Sequence, residues 1–292
     1  MADPLRGWLE LQRDLGGDEM ILAEPTDFAS ALRSNPAVPA RALAAPVAPG
    51  SSGLQSQVSS LVLPARAISG TTRPFGAPDA AWRKAAPPIP GPGLAVAPPA
   101  GSNARGASWP SLEAVAGVIA DCRACPLCEG RSHTVPGEGN PAARLMCIGE
   151  GPGESEDLSG RPFVGRAGEL LDKILANIEL PRPEVYIANV VKCRPPRNRA
   201  PLPDERAACL PYLHRQIALV RPKVLLALGS TAAEAMLGVK KPLGELRLKV
   251  HTWDGIPLVV TYHPAALLRN PNWKRPAWDD VRIARQLLEL DA

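Results

Sequence analysis

The sequence predicts a three-layer α/β/α sandwich on a four-stranded, mainly parallel sheet, preceded by a disordered N-terminal region. Short apolar runs alternate with longer segments of helical periodicity through the C-terminal part of the chain. The runs lack the in–out alternation of a half-solvated sheet, so both their faces should be covered by helices. Ahead of them, from about Glu24 to Ser108, the composition shifts to Pro, Ala, Ser and Gly.

In chain order, residues 5–23 can form a short amphipathic helix through Leu5, Trp8, Leu9, Leu11 and Leu15, stopped by Gly16-Gly17. Residues 24–108 read as a disordered linker, because a Pro- and Ala-rich stretch buries too little apolar surface to offset its ordering entropy. The folded domain is expected over 109–292. Ser111 caps a helix reaching about Ala120, with Pro110 just outside it. Strands are expected at Leu145–Ile148, Val185–Ala188, Val224–Leu228 and Leu258–Thr261. Helices follow at Ala167–Ile178, Asp204–Val220 (bent at Pro211), Ser230–Leu237 (closed by Gly238) and Trp278–Leu290. The distinctive motifs then fall just after strand C-termini, the edge where open α/β sheets bind ligands.

The chain has 292 residues with a formal charge of +4, which by itself says little about partners. No apolar run is long enough to span a bilayer, and the first residues lack a basic-then-apolar leader. A cytoplasmic, monomeric protein is expected, with no membrane partner. Six cysteines in that setting point to metal ligation or plain burial rather than disulfides. Cys122 and Cys125 form a C-x2-C pair; with Cys193 and Cys209 they make a four-thiolate set suited to zinc or an iron–sulfur cluster. Cys147, inside a strand, reads as core, and Cys128 has no vacant place on a four-ligand site.

The candidate site residues come from three distant turns. Gly149-Glu150-Gly151-Pro152-Gly153 gives close backbone access to a ligand, but it ends in carboxylates instead of the Lys-Ser/Thr of a phosphate loop. Of Glu150, Glu154, Glu156 and Asp157, one or two are expected to act chemically and the rest to be solvated. Phe163 is either a stacking surface for a planar base or a plug beneath its loop. Asn189 ends a strand, where its amide can read a polar ring edge or close an Asx turn. His263, at another strand end, can donate to charge developing on a leaving group. Lys192, Arg194, Arg197, Arg199, Arg269, Lys274 and Arg275 crowd the same edge and suit phosphates. Leu267 and Leu268, beside Arg269, suit a wedge that helps extrude a nucleotide.

Residues from about 120 to 288 resemble the family 4 uracil-DNA glycosylases, the thermophile-type iron–sulfur enzymes. The motifs that carry this are Cys122-x-x-Cys125-Pro-Leu, Gly149-Glu150-Gly151-Pro152-Gly153, Glu156-Asp157, Gly160-Arg161-Pro162-Phe163-Val164-Gly165, Asn189-Val-Val-Lys-Cys193-Arg-Pro-Pro and His263-Pro264-Ala265. The resemblance implies a DNA repair glycosylase that flips deoxyuridine out of DNA and hydrolyses its glycosidic bond. It implies a [4Fe–4S] cluster on Cys122, Cys125, Cys193 and Cys209. Uracil would lie against Gly149, Glu150 and Gly151, stack on Phe163, and meet Asn189 and His263. Arg194, Arg197, Leu267, Leu268 and Arg269, by their own basic and apolar side chains, are expected to touch DNA. Ala266 stands where the family often has an aromatic residue, and Gly151 where the wider superfamily has aspartate. Glu156 is therefore the first candidate to activate water, and Glu150 the second. The alternatives are a uracil-DNA binder without turnover and a metal-stapled nucleic-acid module without catalysis. The N-terminal helix is expected to dock a replication or repair protein, and residues 1–108 to be dispensable for catalysis.

Overall fold

The computed structural model describes residues 80–98 and 109–290. The expected helix at 5–23 and most of the linker lie outside them. Among the described residues, seven strands form one sheet: β1 (Pro92–Val96), β2 (Glu138–Gly139), β3 (Leu145–Gly149), β4 (Tyr186–Asn189), β5 (Val224–Leu228), β6 (Val250–Trp253) and β7 (Ile256–Thr261), in the order β1-β6-β7-β5-β3-β4-β2. The central β7-β5-β3-β4 block is the expected four-stranded parallel sheet. The count is corrected by three flanking strands. β6 pairs antiparallel with β7, β1 parallel with β6, and β2 antiparallel with β4.

Eight α-helices complete the described fold: α1 (Leu112–Ala120), α2 (Glu154–Ser159), α3 (Arg166–Asn177), α4 (Pro203–Val220), α5 (Ser230–Leu237), α6 (Leu243–Leu246), α7 (Pro264–Arg269) and α8 (Lys274–Leu290). Ser111 caps α1 by accepting from the Ala114 N–H at 3.2 Å. One core joins Val115 and Ile119 of α1, Leu213 and Ile217 of α4 and Ala233 and Met236 of α5 to alternate strand residues Met146, Ile148, Leu225, Ala227, Leu258 and Val260. The intervening strand residues Leu145, Cys147, Leu226 and Val259 are buried too and face the other way. There α8 packs on β5 and β7. Helices on both sides explain why these strands are apolar throughout.

The linker expected over 24–108 includes residues that are folded. Trp82 is 1% exposed and stands beneath the Arg285 guanidinium of α8, 4.8 Å from its ring centre. Arg83 pairs with Glu289, and Gln286 donates to the Pro87 carbonyl. β1 then adds to the sheet edge. His251 of β6 fixes it: Nδ1 accepts from the Leu94 N–H at 2.9 Å, and Nε2 lies 2.7 Å from the Leu246 carbonyl. A Cβ on Gly93 would sit 2.5 Å from that ring, so only glycine admits it. The folded body therefore starts by residue 80, upstream of the expected boundary at 109.

Candidate active site

The C-terminal ends of β3, β4, β5 and β7 open on a cleft of about 570 Å3. Glu150, Gly151, Glu156, Phe163, Asn189, His263 and Arg269 all line it. Gly149 is buried at the end of β3 and does not itself line the cleft, but it packs against two of these side chains. A Cβ there would lie 2.3 Å from Asn189 Oδ1 and 2.7 Å from the Phe163 ring. The glycine thus lets both approach the end of β3. Asn189 is 2% exposed, and its Oδ1 is buried without a hydrogen-bond partner among the described residues. Such an orphan acceptor is uncommon, and it sits on a residue that lines the cleft.

Phe163 takes a positive φ of 51°, a strained conformation for a bulky residue. Three neighbours hold it there. Arg182 donates to the Phe163 carbonyl at 3.0 Å and to that of Pro162, while Glu138 and Asp172 pin the guanidinium. Gly168 lets the Phe163 carbonyl reach the start of α3, where a Cβ would meet it at 1.9 Å. The ring then stacks on His263 with centroids 5.5 Å apart.

His263 caps α7, and its Nδ1 accepts from the Ala265 N–H at 3.2 Å. That bond leaves the ring proton on Nε2. Burial, with Arg269 adding to it, pushes the imidazole down to about 4. At neutral pH His263 is an uncharged donor at the cleft.

The four acidic residues separate by environment. Asp157 is buried and accepts from the Ser132 N–H with both oxygens. Glu154 is exposed. Glu156 accepts from Gly153 at 3.0 Å, Val164 at 2.9 Å and Gly165 at 3.0 Å, all backbone donors. Its carboxylate ties the Gly-rich loop to the Phe163 loop. Glu150 accepts from the Thr231 hydroxyl with Oε2, and no described residue bonds its other oxygen.

A second, smaller cavity is lined by Cys122, Cys125, Cys193, Cys209 and also Cys128, with Arg131 and Lys192 beside them. Burial pushes the Cys209 thiol up to about 12 and raises Cys125 and Cys193 as well. Arg131 donates to Cys193 Sγ at 3.1 Å and Tyr212 to Cys122 Sγ at 3.2 Å. Among the described residues, no three His, Cys, Asp or Glu side chains are placed to hold a single metal ion. Cys147 lies in β3, fully buried.

The model of the uracil DNA glycosylase superfamily matches residues 136–282, half of the chain and all of the cleft. The type-4 uracil-DNA glycosylase of Saccharolobus solfataricus is 43% identical over 61% of this chain and 87% of its own length. That of Thermotoga maritima is 43% identical over 62% and 96%. The type-5 uracil-DNA glycosylase of Thermus thermophilus is 34% identical over 45% and 69%. The chain belongs to the type-4 uracil-DNA glycosylase family.

In this glycosylase the basic rim is smaller than its sequence suggests. Lys192 is buried, and its ammonium donates to the Asn189 carbonyl at 2.8 Å and to Gln216 at 2.6 Å, so it supports the end of β4. Arg199 is paired with Glu205. Arg197 and Arg269 are exposed, and Arg194 is half-buried against Asn198. Leu267 is corrected from wedge to core: at 1% exposure it faces inward from α7, while Leu268 stays exposed. The i, i+1 pair lies on different helix faces, so both could not point outward. Sequence reading missed Arg182, Thr231, Tyr262 and Trp273. Arg182 carries no motif. Thr231 follows Gly229-Ser230 at the end of β5, on the rim that the strand-end rule already marks.

Proposed function

We propose that this chain excises uracil from DNA by hydrolysis, leaving an abasic site. The observation that carries the reading is the unpartnered Asn189 Oδ1, buried at a cleft shared with the Phe163 ring and the neutral donor His263. An amide can match both the N–H and a carbonyl of an imide ring. The base would stack on Phe163 once extruded from the strand. As the C1′–N1 bond breaks, its electron pair passes to the ring, and His263 Nε2–H donates to the charge growing on a uracil oxygen. A neutral donor suits that task, because it stabilises the anion without a proton leaving the enzyme. Water then adds its oxygen to C1′ and gives up a proton, which neutralises the departing uracil anion. Glu150, with a free oxygen on the cleft, is the carboxylate we assign to that water; Glu156 positions the two loops.

A cavity lined by five thiols, with no carboxylate or imidazole, fits an iron–sulfur cluster held by four of them. Cys122, Cys125, Cys193 and Cys209 would hold a [4Fe–4S] cluster, which when bound supplies a cross-link between the end of α1 and the β4–α4 region. Arg131 and Lys192 would balance its negative charge. Arg194, Arg197, Leu268 and Arg269 would contact phosphate or flanking DNA. We place the protein in the cytoplasm as a monomer, with residues 1–23 docking a replication or repair partner and the motifs within 109–292 acting on a folded unit that includes residues 80–98. No described helix is long and apolar enough to cross a membrane. The test is incubation of the purified protein with single strands carrying one uracil or one thymine. Alkali-labile product with uracil alone supports the reading; none with either overturns it.

A further inference from the structure

The cleft holds an aromatic layer that uracil binding does not use. Tyr262 directly precedes His263, and its ring is covered by Trp273 with centroids 4.7 Å apart and planes 13° from parallel. The Arg247 guanidinium lies 4.5 Å from the same ring centre. Two groups that close to one ring occupy its opposite faces, so the order is Arg247, Tyr262, Trp273. Arg247 is buried and fixed by both Asp280 oxygens, at 2.6 and 3.0 Å, and by the Pro276 carbonyl at 2.8 Å. The layer is therefore built on a rigid base. Its last ring, Trp273, is 39% exposed and lines the cleft. Arg269, also exposed, lines the same side.

We propose that Trp273 is a stacking platform for a base flanking the excised uracil. This rests on the uracil-excision reading. Phe163, Asn189 and His263 already form the place for the extruded ring, whereas Trp273 is stacked on Tyr262. A rigid indole with one face covered and the rest exposed, in a cleft that Arg269 also lines, matches an unpaired nucleobase, which is planar and held on an anionic backbone. An aliphatic or acidic ligand would use neither the flat face nor the guanidinium support behind it. The platform favours strands whose neighbouring bases are free to unstack, and so selects single-stranded over paired DNA.

The test crosses two proteins with two sets of strands. Native protein and Trp273→Ala are assayed on single strands whose uracil has either ordinary neighbours or an abasic spacer on one side or the other. Native kcat/KM should fall about tenfold when the base on one side is removed, in line with the loss of one base–aromatic stack. Trp273→Ala should start about that much lower and be insensitive to the spacer; Trp273→Phe should restore most of the response. Equal losses for Trp273→Ala on every strand, or a native-like response to the spacer, overturn the proposal. Fluorescence anisotropy with thymine in place of uracil reads the same comparison without chemistry. A protein that releases no uracil but still shows the spacer effect in binding sinks the excision reading and keeps the platform.

Discussion

At the scale of single residues, His263 and Gly149 make the sharpest predictions. In the proposed role His263 is an uncharged donor, so kcat/KM should hold from pH 7 to about 5 and fall as pH approaches 4, where the ring gains a second proton and Nδ1 can no longer accept from Ala265. A pH–rate profile on a uracil-containing strand checks this. His263→Ala should cost about 100- to 1000-fold in kcat, the usual loss for a donor to developing charge. His214, buried against Trp253, is also pushed down to about 4. For stability the sign follows from both. Above pH 6.5 neither folded nor unfolded chain protonates these rings. Between 6.5 and 4 the unfolded chain takes up protons that the fold refuses, so stability falls as pH drops. Chemical denaturation at pH 7 and pH 5 should show the difference. Gly149→Ala introduces a Cβ against Asn189 and Phe163 and should abolish uracil release while leaving overall folding intact by circular dichroism.

At the scale of elements, the loop clamp made by Glu156 is where the proposed roles of the two carboxylates can be told apart. Glu156→Gln replaces one acceptor oxygen with an amide facing a backbone N–H. It should cost about 1–3 kcal/mol of stability. A melting curve and steady-state kinetics measured together decide its role: unchanged melting with lost kcat would make Glu156 the water activator after all. The elements also show where sequence was readable. The four central strands were legible because burial on both faces leaves an unbroken apolar run. β6 was not, since Val250, His251, Thr252 and Trp253 mix polar and apolar residues. Its turn was a stronger signal than its strand: Asp254 and Gly255 have φ of 50° and 78°, the pairing a two-residue primed hairpin needs. β1 hid in Pro- and Gly-rich sequence because its partner comes from about 150 residues away, and no local pattern carries that pairing. The Gly, Asn and His of the cleft were readable because strand ends mark the rim. The sorting of the acids was not, since it depends on which backbone donors each side chain meets.

At the scale of the whole molecule, the segment from 80 to 98 is part of the stable unit. Trp82→Ala should cost about 3–5 kcal/mol, the usual range for a buried tryptophan. At about 2–4 °C per kcal/mol, that is a drop in Tm of roughly 6–20 °C. A chain starting at residue 109 should melt lower than one starting at 80 by a similar margin, measured by calorimetry. Cys209→Ser should bleach the brown absorbance expected of the purified protein and lower its melting temperature together.

The place of β1 has a further consequence. A bare β6 would present an open row of amide and carbonyl groups to any neighbouring molecule. The chain supplies its own cover, and the cover is a poor template in turn: it begins with Pro92 and slips register between Pro92 and Ala95. A preparation cut short of this segment should therefore clump on concentration, whereas one that keeps it stays dispersed.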